Sequence, residues 1–116
     1  METQETKERE SAKAQQIAQT IADQLGGGMF RMMTGANFYI YHEPEINEYG
    51  LSVHFKGSRK LNRLRIVLDQ GKDLYKMVFS HQSPKKGIKN VHFIVDVYCD
   101  QLREIFEHET GLYTSL

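Results

Sequence analysis

Residues 62–79, NRLRIVLDQGKDLYKMVF, alternate apolar and polar side chains in two successive runs, and this pattern constrains the chain more than any other stretch. In the first run Leu64, Ile66 and Leu68 point one way, and Arg63, Arg65 and Val67 the other. In the second, Tyr75, Met77 and Phe79 oppose Lys76. A period of two marks a β-strand with one buried face. Between the runs, Asp69-Gln70-Gly71-Lys72 predicts a turn with Gly71 as its left-handed residue. The stretch therefore reads as a hairpin whose apolar side the rest of the chain must cover. At about 1.5–3 kcal/mol per fully buried large side chain, its inward residues carry much of the core.

The remaining signals assemble around that hairpin. A chain of 116 residues fits one domain, with residues 1–13 as a flexible polar tail and residues 14–116 as a single α+β domain. Ala14, Ile17, Ala18, Ile21, Ala22 and Leu25 recur at helical spacing, and Gly26-Gly27-Gly28 stops that helix. Residues 29–33 (MFRMM) fit either a buried strand or one helical turn, with core filling as the expected use of the methionines. Residues 37–42 and 51–55 read as strands, with an acidic surface loop around Pro44 between them. Residues 80–87 read as a loop. Residues 91–97 read as a last strand with Val91, Phe93, Val95 and Val97 on one face. Asp96 is the expected N-cap of a final helix whose stripe is Tyr98, Cys99, Leu102, Ile105 and Phe106, with Gly111 as its stop. The apolar tail after Gly111 is expected to dock on the body. The expected fold is an N-terminal helix, about five antiparallel strands in a meander and a C-terminal helix, both helices on one face.

Composition removes several function classes. Fifteen basic and fifteen acidic side chains balance, so global charge selects no partner. A lone cysteine, Cys99, forbids an internal disulfide and any zinc-finger spacing. The polar N-terminus lacks the apolar core of a signal peptide, and no run is long enough to span a bilayer, so a cytoplasmic location without membrane partners is expected.

Several blocks carry a resemblance. They are residues 25–30 (LGGGMF), 33–38 (MTGANF) and 60–62 (KLN), then Tyr98, residues 100–102 (DQL), Phe106 and residues 110–116 (TGLYTSL). From about Gln15 onward the chain resembles a family of small uncharacterised proteins encoded in bacteriophages and mobile elements, often of gut bacteria. The terminal block is the most specific part. The resemblance implies an origin and transfers no functional residue.

The strongest chemical signal is basic. Lys56, Arg59, Lys60, Arg63 and Arg65 lie within ten residues with no acid among them. Alternation puts Arg63 and Arg65 on the outward side of the sheet. If Phe38 and Ile40 face inward, Tyr39 and Tyr41 face outward too, alongside His54, Lys76 and His92. Cations and flat rings on an open sheet suit a single-stranded nucleic acid, whose phosphates need charge and whose bases need stacking. The alternative is that these arginines solvate the sheet and guard it against edge pairing.

Other constellations fail on spacing. The five histidines, His42, His54, His81, His92 and His108, form no metal-ligand pair. Cys99 and His108 fall too far apart along one helix to act as nucleophile and base, and Cys99 is expected to be a buried small hydrophobe. The triple glycine follows a helix instead of a strand, so it is not a phosphate loop, and no cofactor is implied. The expectation is a non-enzymatic accessory protein of a phage or mobile element. It binds a host or element-encoded protein, inhibition of a host function being one use. The alternative is a nucleic-acid-binding module, and the Met29–Met33 cluster leaves a homodimer open.

Overall fold

The computed structural model describes residues 4–116. The chain runs α1 (Gln4–Leu25), α2 (Gly27–Thr34), β1 (Asn37–Glu43), β2 (Glu48–His54), β3 (Arg63–Asp69), β4 (Leu74–Ser83), β5 (Gly87–Val97) and α3 (Leu102–Thr110). Short 3-10 turns at Pro44–Ile46 and Cys99–Gln101 join β1 to β2 and β5 to α3. The five strands are antiparallel and follow chain order across the sheet, the meander that the sequence predicts.

One alternation set faces the helices. Leu51, Val53, Phe55, Leu64, Ile66, Tyr75, Met77 and Phe79 are all buried against them. The α1 stripe, Ala14, Ala18, Ile21, Ala22 and Leu25, is buried as its spacing predicts, and Gln24 accepts the Tyr75 hydroxyl proton at 2.7 Å. From α3, Phe106 meets Phe55 edge-on at 5.0 Å and Phe30 of α2 at 4.7 Å.

The helical layer holds more than the sequence suggests. Helix α1 begins at Gln4, so it runs through most of the expected tail; residues 1–3 lie outside the described residues. Its exposed first turns carry a Glu5–Arg9 ion pair at 2.6 Å, in the acid-before-base i,i+4 order that favours a helix. Residues 29–33 resolve as helix. Gly26 (φ 115) separates α1 from α2, and Gly35 (φ 65) ends α2. So short a helix turns only Phe30 and Thr34 into the interior. Met29 and Met32 stay exposed, so the core filling expected of the methionines falls to Phe30.

In the central hairpin the left-handed residue is Asp73 (φ 55), not Gly71. The Asp69 carboxylate accepts the backbone N–H groups of Gly71 and Lys72, at 3.1 and 3.3 Å, which organises the turn from its first residue and pushes the reversal to its last.

Residues 80–87, expected to be a loop, mostly extend the β4–β5 hairpin. Asn62 explains the extension. Its side-chain amide donates to the Gln82 carbonyl and its Oδ1 accepts the Gln82 N–H, both at 2.8 Å. Its own backbone N–H donates to Ser80 at 3.0 Å. A side chain thus acts as a strand segment beside β4, a pairing no local pattern in residues 80–83 reveals.

The facing expected for the last strand is wrong for three of four residues. Two bulges interrupt the β4–β5 register, one between the Tyr75–Val97 and Met77–Ile94 pairs and one between the Phe79–His92 and His81–Lys89 pairs. The extra residues bring Asn90 (φ 56) and Asp96 (φ 55) into the left-handed region. Each bulge reverses the alternation. Val97 is buried, but Val91, Phe93 and Val95 point outward at 56, 65 and 56% exposure. Ile94 and His92 take the inward places. Asp96 is therefore a bulge residue paired with Lys72 at 3.2 Å, not an N-cap. The turn into α3 starts at Tyr98, whose N–H donates to Gln101 Oε1 at 3.0 Å. Because α3 begins only at Leu102, Tyr98 and Cys99 lie off the buried stripe, and Cys99 is exposed.

Gly111 (φ 74) ends α3 as expected, its N–H donating to Glu107. The tail docks mainly through a polar residue: Thr114 is fully buried, bonded to the Glu107 carboxylate and the Arg103 guanidinium, while Tyr113 and Leu116 stay exposed.

Candidate functional site

Among the described residues the three helices lie on one side of the sheet, which leaves the other side to its own side chains. The register sets them in rows across the strands. Tyr39, Ser52, Arg65, Val78 and Phe93 form one row. Tyr41, Gly50, Val67 and Lys76 form the row on one side of it, and Asn37, His54, Arg63 and Ser80 the row on the other.

Four of the seven candidate residues therefore share this face. The Arg65 guanidinium lies 4.4 Å from the centroid of the Tyr41 ring. Tyr39 packs on His54 with centroids 4.6 Å apart, and His54 pairs across the strands with Arg63. Lys56, Arg59 and Lys60 are exposed on the β2–β3 connection, at the Arg63 end of the sheet. Of these, only Lys56 lines, with Arg63, His54 and Asn37, the hollow of about 430 Å³ at that end.

The electrostatics follow from crowding. Burial and then the adjoining Arg63 charge hold the His54 imidazole below its ordinary value. Tyr41 is pushed up to about 12, first by burial and then by its hydrogen bond to Glu48, whose carboxylate accepts the hydroxyl proton at 2.7 Å.

His92 is not on this face, contrary to expectation. The β5 bulges turn it toward the helices, where it stacks on Phe79 at 5.3 Å and reaches Glu109 of α3 at 2.9 Å. Two carboxylates of the acidic last helix are thus engaged, Glu109 by His92 and Glu107 by Thr114. The histidines remain dispersed, with His42 stacked on Tyr49 at 4.5 Å. Among the described residues no group of three or more His, Cys, Asp or Glu is placed to hold a metal ion.

Sequence reasoning missed the apolar half of the face. On β5, Phe93 pairs with Val78 of β4, and Ile88, Val91 and Val95 are exposed on the same side. A groove of about 250 Å³ joins the two halves. It is lined by Arg63 and Arg65 of β3 and by Ile88 and Val91 of β5, with Val78 and Ser80 of β4 between them. Asn90 and Asp96 were the available signal, since these residue types accept the left-handed conformation a bulge needs.

The chain matches no protein-family model, no curated protein and no solved structure. Among the described residues no helix is long and apolar enough to cross a membrane.

Proposed function

We propose that the chain is a non-enzymatic binding protein whose working surface is the outer face of the sheet, and that its partner is another protein. The groove between Arg63 and Arg65 on one side and Ile88 and Val91 on the other carries this reading. A small domain seldom leaves so much apolar surface beside charge without a use for it. A protein segment that offers apolar side chains next to carboxylates complements both halves at once, whereas a nucleic acid has no use for the aliphatic Ile88, Val91 and Val95. The resemblance to phage and mobile-element proteins supports a cytoplasmic host or element-encoded partner, with inhibition of a host function as one outcome of the contact.

The test compares wild type with Arg63→Glu plus Arg65→Glu as bait in a nuclease-treated host lysate. A single protein retained by wild type and by a helix-side control, Gln16→Glu, but lost from the double variant supports the reading. Retention that survives the double variant sinks it.

The pairs Arg65–Tyr41 and Tyr39–His54 favour the second reading, a single-stranded nucleic acid stacked on the basic half. Labelled oligonucleotides titrated against salt decide it. With five phosphate contacts, log K falls with log salt at a slope of about −3.5. No binding at low salt removes it.

A further inference from the structure

Strand β5 is an edge of the sheet, and its outward residues Ile88, Val91, Phe93 and Val95 are each 56–65% exposed. Edge strands are ordinarily blunted by a charge, a proline or a bulge. In β5 the charges Lys89 and Asp96 and both bulge residues lie toward the ends, outside residues 91–95. The segment Val91-His92-Phe93-Ile94-Val95 has no proline and no lysine, arginine or acid. Both bulge residues, Asn90 and Asp96, stand three positions from Phe93, one on each side. The regular stretch between them is thus centred on Phe93, and its outward residues read Val, Phe, Val in either direction.

We propose that β5 pairs antiparallel with β5 of a second copy of this chain, about a two-fold axis at Phe93, so that two five-stranded sheets become one. A strand paired with itself by a two-fold axis must set one residue opposite its own copy, and every other contact then occurs twice. With Phe93 on the axis, Val91 of each copy stands opposite Val95 of the other. Charge selects the same direction. The leading end of the hairpin strand carries exposed Lys85, Lys86 and Lys89, and the trailing end carries exposed Asp96 and Asp100. Antiparallel pairing lays each basic end beside the other copy's acidic end. The side chains at the bulges are tied to their own chain, Asn90 to the Lys60 carbonyl at 3.0 Å and Asp96 to Lys72 at 3.2 Å. The inference stands on the edge strand and does not depend on what the outer face binds.

Light scattering coupled to size-exclusion, on the full chain with no ligand, tests it. Wild type runs at twice the 13.5 kDa chain mass. Val91→Lys plus Val95→Lys sets introduced lysines opposite each other at two places, and the mass falls by half with the circular dichroism spectrum unchanged. Val91→Lys plus Val95→Glu sets opposite charges there and restores the dimer. Lys89→Glu, at an exposed position, leaves the fold intact and weakens the dimer several-fold. A wild-type mass of one chain at every concentration overturns the proposal, as does a dimeric two-lysine variant or a monomeric lysine–glutamate variant. Because the readout is mass without a partner, its failure is distinct from failure of the outer-face reading.

Discussion

Arg65 on β3 reaches across β2 to Tyr41 on β1, its guanidinium 4.4 Å from the ring centroid. The two strands are separated by two inter-strand spacings, roughly 9–10 Å. The contact closes because the outward residues of β2 beneath it are Gly50 and Ser52, the smallest the sheet offers there. Glu48 completes the arrangement by accepting the Tyr41 hydroxyl proton. The most basic part of the face is therefore held in place before any partner arrives.

Tyr41→Phe removes the bond to Glu48 and costs about 1 kcal/mol at neutral pH. It also changes the alkaline limb of stability. The folded Tyr41 titrates near 12, above its ordinary 10, so the folded state holds this proton more tightly than the unfolded chain. That contribution is complete below pH 10 and is lost as pH rises from 10 to 12. Urea unfolding across this range falls less steeply for the variant than for wild type.

His54 gives the opposite limb. Burial, then Arg63, depresses its folded value below 6.5. The folded state therefore holds this proton less tightly than the unfolded chain. The contribution is present above pH 6.5 and fades as pH falls through the folded value. In a histidine-resolved NMR titration, Arg63→Gln moves the His54 midpoint upward.

Gly50→Ala is expected to be the most damaging small change in the sheet. A Cβ there would sit 1.9 Å from the Ile66 carbonyl oxygen, a backbone atom held in the β2–β3 ladder. The strands must part to admit it, at a cost of about 3 kcal/mol or more. Denaturant midpoints measure the loss, and Ser52→Ala, two residues on, serves as the mild comparison.

Asn62→Ala tests why β4 is long. Both side-chain bonds to Gln82 disappear, at about 1–2 kcal/mol in total. Hydrogen exchange at the Gln82 amide accelerates well beyond that at Met77, because only the outer end of the hairpin loosens.

The legible part of the fold was the part written in period. The α1 stripe and the inward residues of β2, β3 and β4 read directly, because each pattern runs unbroken. The period misleads where an extra residue interrupts it. The bulges at Asn90 and Asp96 reversed β5, took His92 from the outer face and put Phe93 there instead. Period is silent where a side chain replaces backbone, as Asn62 does beside β4. The polar first turns of α1 hid a helix that has no buried face of its own over that stretch. Of the candidate residues, alternation places Tyr39, Tyr41, Arg63 and Arg65 on one face, and the strand register does the same. The apolar wall of the groove was illegible, since its residues looked like core.

The strand order has a consequence for how the chain acquires its shape. Each strand pairs with the one made just before it, so the sheet can grow hairpin by hairpin as the chain emerges. The first helix made is among the last to be fully covered. Helix α1 rests against β1 and β2, but it also meets α3, and Tyr75 of β4 bonds Gln24. The part of the core that waits for the final helix is the aromatic one, where Phe106 closes on Phe30 and Phe55. A nascent chain stalled before α3 would expose Phe30 and Phe55 together, the form in which this protein is most open to proteolysis.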